Sequence, residues 1–263
     1  MHNPKLLRTA RRLLPGWLGV RLDPFHAAIE QALGSFAASL PAGAWVLDAG
    51  AGECAHQPLF GHARYVAVDN AGGDAAWDYS RLSAVAELES LPFAAASFDA
   101  ALSVVTLEHV GSPPAALAEL RRVLRPGGRL FIAVPQFWEL HQAPQDYFRY
   151  TRCGLERLLC EAGFEIAELR PTGGYFHLMG KLSIDFLQFF ERGAGWILWA
   201  LLVPLYGVIA PFFCYYLDFL DRKKDFAVGF IAVAQAAACA RSGAEAAESS
   251  AVEQPMPAEV SLP

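Results

Sequence analysis

Charge is scarce in this sequence. Charged residues make up 18% and hydrophobic residues 54% of 263. That balance is apolar for a soluble enzyme, so the excess must be concentrated somewhere. The net charge of −6 argues against a nucleic-acid-binding surface, and no nucleic-acid partner is expected. Cysteine is sparse and unpatterned. Cys54, Cys153, Cys160, Cys214 and Cys239 form no CxxC pair and no even framework, which points to free thiols in a reducing, cytoplasmic compartment. No cluster with recognisable metal-ligand spacing appears, so no metal is expected. Met1–Leu14 is basic and lacks a continuous apolar stretch, so no secretory signal is expected.

What is present begins with KLLRTARRLL at 5–14. Its leucines and alanine take one helical face and Lys5, Arg8, Arg11 and Arg12 the other, which predicts a basic amphipathic helix. Such a helix can lie on an anionic membrane surface or pack on the core. It opens an N-terminal helical region over 1–40. Strand signals then follow at Trp45–Ala49, Tyr65–Asp69, Ala84–Leu88, Ala100–Val105 and Leu130–Val134. Between the last two, Pro113-Pro114 starts a helix and Pro126-Gly127-Gly128 is expected to stop it. Thr151–Gly163 reads as a further helix, capped by Thr151, with Phe164–Arg170 as a strand. The alternation predicts an α/β fold, a parallel sheet with helices on both faces.

The apolar excess sits in 175–225. From Gly193 to Leu217 no residue is charged, and ~20 apolar residues suffice to span a bilayer. Phe226–Ala234 nevertheless reads as a core strand, which would place both ends of the segment on one side of a membrane. Pro204, Gly207 and Pro211 offer bends for a re-entrant or in-plane hairpin, and Arg222, Lys223 and Lys224 suit a cytoplasmic headgroup zone. The same segment could instead cap the active site or form a dimer interface. Residues 239–263, rich in Ala, Ser, Glu and Pro, read as a disordered tail.

The chemistry lies in WVLDAGAGEC at 45–54. Gly50 and Gly52 permit a tight turn and close approach of a ligand at the carboxyl end of the first strand. Asp69, ending the next strand, can accept hydrogen bonds from both hydroxyls of a ribose. A dinucleotide loop would complete GxGxxG, but position 55 is alanine and Asp48 precedes the turn. Both count against an NAD-dependent oxidoreductase.

Four pieces, VLDAGAG at 46–52, YVAVD at 65–69, ELESLPFAAASFDAALSVVTLEHV at 87–110 and ELRRVLRPGGRLFIAVP at 119–135, together resemble the class I S-adenosylmethionine-dependent methyltransferases of the type 11 kind. HQAPQDYFRYTRCGLERLLCEAGFE at 141–165 resembles the continuation in one bacterial branch, loosely tied to cell-surface glycan or lipid pathways. The resemblance implies a Rossmann-like, seven-stranded, mostly parallel sheet over a 41–174 core. The strand at 226–238 would be its antiparallel member, with the apolar helical insertion just before it. S-adenosyl-L-methionine would be the cofactor. Gly50 and Gly52 would line its methionine and ribose portion, with Asp48 near the ammonium. Asp69 would take the ribose, Asn70 and Glu87 the adenine, and Val105 and Thr106 the methionine moiety. Cys54 stands where some members have a third glycine.

Methyl transfer needs chiefly orientation, and an alcohol acceptor also needs a base. Glu108, His109, His141 and Asp146 are the candidates, with His141 and Asp146 placed first. Alternatively Asp146 and Arg149 pair to fix the loop while Tyr147, Phe148 and Tyr150 pack it. The expected function is methyl transfer to a small-molecule, glycan or lipid acceptor, with a peripheral or re-entrant contact at the cytoplasmic membrane face. The alternative is a non-catalytic, cofactor-binding scaffold at a membrane.

Overall fold

The computed structural model describes residues 15–74, 76–190 and 195–237. The expected amphipathic helix at 5–14, the expected tail at 239–263 and Cys239 lie outside them. Cys54, Cys153, Cys160 and Cys214 are free thiols.

Seven strands form one sheet: β1 (Trp45–Ala49), β2 (Arg64–Asp69), β3 (Ala84–Val85), β4 (Phe98–Val104), β5 (Leu124–Pro135), β6 (Phe164–Pro171) and β7 (Gly229–Ala236). Their order is β3-β2-β1-β4-β5-β7-β6. The pairs from β3 to β5 are parallel, and β7 runs antiparallel to β5 and β6. The expected mostly parallel sheet with an antiparallel last strand is therefore present. A doubly wound dinucleotide fold of order 3-2-1-4-5-6 has no such inserted strand, which separates this chain from the oxidoreductase alternative.

Alternate residues of the central strands feed two cores, as a sheet buried on both faces requires. Leu47, Leu130 and Ile132 point to one face, against Leu117 and Leu120. Val46, Phe131 and Ala133 point to the other, against Phe25, Ile29 and Leu33. Short α1 (Gly16–Leu22) leads into α2 (Pro24–Ala38), which covers the second face. Asp23 caps α2 by accepting from the His26 amide at 3.1 Å. On the first face lie α3 (Pro113–Val123) and α4 (Arg152–Glu161). Thr151 caps α4 as expected, its hydroxyl oxygen accepting from the Gly154 amide at 3.1 Å.

Three boundaries differ from expectation. Pro126-Gly127-Gly128 does not stop a helix: α3 ends at Val123 and the chain enters β5 at once. The ladder pairs Phe98 with Leu124 and then Ala100 with Arg129, so the Pro-Gly-Gly segment is a bulge. β3 is only two residues long, because Leu88 and Leu91 turn into the core. β7 begins at Gly229 and not Phe226; the Val134 carbonyl and the Phe25 ring leave no room for a Cβ there.

The insertion is a helical hairpin. It comprises α5 (Tyr175–Phe186), a 3-10 segment Leu187–Phe190, α6 (Trp196–Leu202), a π-helical stretch Val203–Ile209 and α7 (Ala210–Leu217). Pro204, Gly207 and Pro211 do not bend it into a hairpin of its own. The widened π turn absorbs Pro204 and Gly207, and Pro211 sits in the first turn of α7, so the helix runs on. The return arm packs antiparallel on α5, with Pro211 and Cys214 against Gly180 and Leu187 against Gly207. Carboxylates on the return arm pin the base. Asp218 accepts from the Gly174 and His177 amides, each at 3.1 Å, and Asp221 from the Tyr175 amide at 2.7 Å. These satisfy and charge-match the N-terminus of α5.

Candidate functional site

A cavity of about 400 Å³ opens at the carboxyl ends of β1, β2 and β4, where parallel sheets whose order reverses leave a crevice. The chain leaves β1 through Gly50, whose φ is +87°. A Cβ there would overlap the Thr106 side chain, so only glycine lets the loops after β1 and β4 approach so closely. The Thr106 hydroxyl ties them, with the Gly50 and Val104 carbonyls at 3.3 and 3.2 Å. Val105 also has positive φ, +53°. For a β-branched residue this is strained, and it sits on the cavity wall. Cys54, at φ +57°, is buried and takes the left-handed turn that a glycine would take more easily.

Asp69 is fixed by the loop it faces. Its Oδ2 accepts from the Gly52 amide at 3.0 Å and its Oδ1 from the Ala71 amide at 2.8 Å. A carboxylate has about four lone-pair sites, so each oxygen keeps acceptor capacity toward the cavity. Beyond it the Asn70 amide donates to Glu87 Oε2 at 3.2 Å. Gly50, Gly52, Asp69, Asn70, Glu87, Val105 and Thr106 all line the cavity.

Asp48 does not. It is 1% exposed and accepts from the Tyr65 hydroxyl on β2, while its Oδ1 has no hydrogen-bond partner. Burial pushes its carboxyl up to about 7, against the opposing Tyr65 hydrogen bond. Strand alternation explains the placement: Asp48 points to the same face as Val46, inward under the loop.

The expected acceptor side is built by the segment after β5. The Tyr147 and Phe148 amides donate to the Glu108 carbonyl at 2.9 and 3.2 Å, and the buried Tyr150 hydroxyl to that of Leu107 at 2.7 Å. Tyr150 packs the loop, whereas Tyr147 and Phe148 are exposed. Asp146 accepts two bonds from Arg149, at 2.6 and 2.8 Å, and one from the His141 amide at 2.8 Å. Arg149 holds its carboxyl at about 2. Asp146 is absent from the cavity wall and fixes the loop, the structural alternative considered above. His141 does line the cavity, and so does His109. Their Nε2 atoms lie 3.1 Å apart. Glu108 is wholly buried, and burial pushes it up to about 8.

Sequence reasoning did not find His26, Ile29 and Glu30 of α2, nor His56, Trp77 and Trp138, which complete the wall. Trp138 packs on Phe25 and His26, so the N-terminal helix closes the site. Phe25 and Ile29 are buried and give α2 its inward face; nothing in the sequence marked His26 as lining a cavity.

Residues 47–132 match the model of the methyltransferase domain family. Over these residues the chain carries a methyltransferase domain. An O-methyltransferase of Aspergillus nomiae is 37% identical over 100 residues, 32% of this chain and 43% of that protein. A malonyl-[acyl-carrier protein] O-methyltransferase of Hahella chejuensis is 46% identical over 63 residues, 23% of each chain. The chain spans less than half the length of the curated relatives it matches. Among solved structures, the [4+2]-cyclase SpnF superposes with a TM-score of 0.51 at 21% identity, over 79% of this chain and 81% of that one. Haemonchus contortus phosphoethanolamine N-methyltransferase 2, in complex with S-adenosyl-L-methionine, does so with 0.50 at 16%, over 79% and 52%. These two show the shared fold.

The methyltransferase core fits S-adenosylmethionine by its own geometry. Gly50 and Gly52 leave the wall without side chains, Asp69 retains acceptor sites for a diol, and Glu87 and the Asn70 carbonyl can accept from an amino group. Gly50→Ala is expected to lower stability by about 2 kcal/mol, from left-handed strain and the Thr106 overlap, and to weaken S-adenosylhomocysteine binding at least about tenfold. Urea unfolding and calorimetry check both; unchanged binding would separate the loop from the ligand.

Asp48 gives a pH dependence. Its folded value lies above the ordinary carboxylate value, so the native state holds the proton more tightly. The stability tied to it is full below about pH 4 and is lost as pH rises toward 7, by at most about 1.4 kcal/mol per pH unit. Urea unfolding of Asp48→Asn is expected to lack this decline. Equal pH slopes in variant and wild type would contradict the assignment.

Proposed function

We propose that this protein transfers a methyl group from S-adenosylmethionine to an oxygen nucleophile on a glycan or lipid-linked acceptor, at the cytoplasmic face of a membrane. The observation that carries the cofactor half is Asp69. Its two oxygens are fixed by loop amides and retain acceptor sites in a cavity shared with Gly50, Thr106 and Glu87.

When bound, S-adenosylmethionine supplies a methyl made electrophilic by its sulfonium. The protein's own work is positional. Asp69 holds the ribose diol, Glu87 and Asn70 hold the adenine edge, and Val105 and Thr106 border the methionine moiety. His109 and His141 mark the acceptor side. Oxygen as the accepting atom is supported by the O-methyltransferases among the relatives.

The membrane half rests on the hairpin. Trp196–Leu220 is a continuous apolar helical stretch of 25 residues, and almost none of it is buried. A core helix of that composition would be mostly covered. Trp196, Ile197, Leu201 and Phe213 are each more than half exposed. Among the described residues none of 175–220 lines the cavity, which supports a membrane contact over a site cap. Pro171 pairs with Phe230 across β6 and β7, so both arms return to one side of any bilayer. A shallow or in-plane insertion satisfies that constraint. Lys224 is bound to Asp218, which leaves Arg222 and Lys223 as the headgroup contacts.

Two experiments test the two halves. Labelled methyl from S-adenosylmethionine should enter a glycolipid or lipid extract with wild type, and Asp69→Ala should lower kcat/KM at least about tenfold, or roughly 1.4 kcal/mol. Cofactor binding with no transfer into any fraction would favour the scaffold alternative. Wild type should sediment with anionic phospholipid vesicles, while the exposed double variant Ile197→Glu/Leu201→Glu should stay in the supernatant. Wild type remaining wholly soluble would sink the membrane half.

A further inference from the structure

Three side chains on the acceptor side remain unexplained by methyl transfer alone. His109 Nδ1 lies 2.7 Å from the Gln145 carbonyl. His141 Nδ1 lies 3.0 Å from the Glu139 carbonyl and 3.3 Å from Asp146 Oδ2. A carbonyl only accepts, so both Nδ1 atoms carry the hydrogen. In the neutral rings both Nε2 atoms then carry lone pairs, and they face each other at 3.1 Å. Two lone pairs at that distance repel unless a proton or a cation lies between them.

Glu108 decides between the two. Its side chain is 0% exposed, and neither carboxylate oxygen has a hydrogen-bond partner. Its Oε1 lies 3.9 Å from His109 Nε2, and the ligand atoms of Glu108, His109 and His141 all lie within 4.8 Å of one another. A shared proton would join the two rings and make the pair cationic, but the nearer ring nitrogen lies 3.9 Å from Glu108 Oε1, beyond hydrogen-bond reach, so both carboxylate oxygens would stay without a partner. A cation would satisfy both nitrogens and give the carboxylate the counter-charge that burial demands.

We propose that Glu108, His109 and His141 form a divalent transition-metal site in the wall of the cavity. The donor set, two imidazole nitrogens and one carboxylate, suits Zn²⁺, Mn²⁺ or Fe²⁺ better than Mg²⁺ or Ca²⁺, which prefer oxygen throughout. The surroundings are those of a ligating histidine pair. Each ring donates its other N–H to a backbone carbonyl, which fixes tautomer and orientation. Asp146, held by Arg149, adds a carboxylate beside His141, so it is a positioning residue here. Three protein ligands leave coordination positions open. Since His109 and His141 line the cavity, the inferred ligand for those positions is an acceptor oxygen, from a hydroxyl or a carboxylate. A bound cation lowers the pKa of such a hydroxyl, and His141, with Nε2 engaged, then acts as a ligand and not as the base. This deepens the methyl-transfer reading and rests on it only for the identity of the open-position ligand.

The test uses the full chain, stripped with a chelator and titrated with Co²⁺, with Zn²⁺ in competition and Mg²⁺ as comparator. One equivalent of Co²⁺ should give visible ligand-field absorption that Zn²⁺ removes and Mg²⁺ does not. His141→Ala and Glu108→Gln should each weaken Co²⁺ at least about tenfold. Glu108→Gln keeps the shape of the buried side chain, and S-adenosylhomocysteine calorimetry on the same samples reports whether each variant is folded. No stoichiometric Co²⁺ binding by a wild type that binds S-adenosylhomocysteine would overturn the site and leave the methyltransferase reading standing. Equal Co²⁺ affinity in both folded variants would also overturn it, as would a metal-insensitive downfield N–H proton resonance between the two rings. Co²⁺ binding with no S-adenosylhomocysteine binding would uphold the ion site and count against the methyltransferase reading.

Discussion

The close approach of Gly50 to Thr106 is the constraint on which the site depends. β1 and β4 are parallel neighbours, and the segments that follow them meet at Gly50 and Thr106. There the missing Cβ of Gly50 lets the Thr106 side chain fill the gap. That contact sets the mouth of the crevice. Gly52 then reaches Asp69 on β2, and Val105 is held at positive φ on the opposite wall. A β-branched residue in that region persists only where its surroundings over-determine it. The strain therefore falls on the segment that borders the ligand.

Around this mouth the protein keeps carboxylates in three electrostatic settings. Asp69 is half-buried and held by amides, so it is a ready acceptor. Asp146 is paired with Arg149 and serves the loop. Asp48 and Glu108 are buried with oxygens that lack partners, a costly state in a native fold. Asp48 keeps the Tyr65 hydroxyl as partial compensation. Glu108 has no side-chain hydrogen bond among the described residues, which is why an ion beside it accounts for more than a hydrogen bond between two histidines does.

Much of this was legible in the sequence because it is written in local patterns. Strand alternation, the Gly50-x-Gly52 turn, Asp69 at a strand end and the Thr151 cap each occupy a few neighbouring residues, and each is found where expected. Burial and the direction of side chains were less legible. Asp48 reads as a strand-end residue facing the cofactor, yet alternation on β1 turns it inward. Pro126-Gly127-Gly128 reads as a helix stop, yet pairing across to β4 makes it a bulge. The contributions of His26 and Trp138 depend on α2 folding back over the sheet. His109 and His141 are 32 residues apart, so no spacing rule brings them together; the bonds from Tyr147 and Phe148 to the Glu108 carbonyl do so. The hairpin was legible as an apolar excess, while its π-helical course through Pro204 and Gly207 was not.

The crevice between Gly50, Asp69 and Glu87 is inferred to hold S-adenosylmethionine. Calorimetric titration of the wild-type chain with S-adenosylhomocysteine, beside an identical titration with NAD, tests it most directly. One site with clear preference for S-adenosylhomocysteine is the predicted result. No heat of binding from S-adenosylhomocysteine, or tighter binding of NAD, would contradict the account.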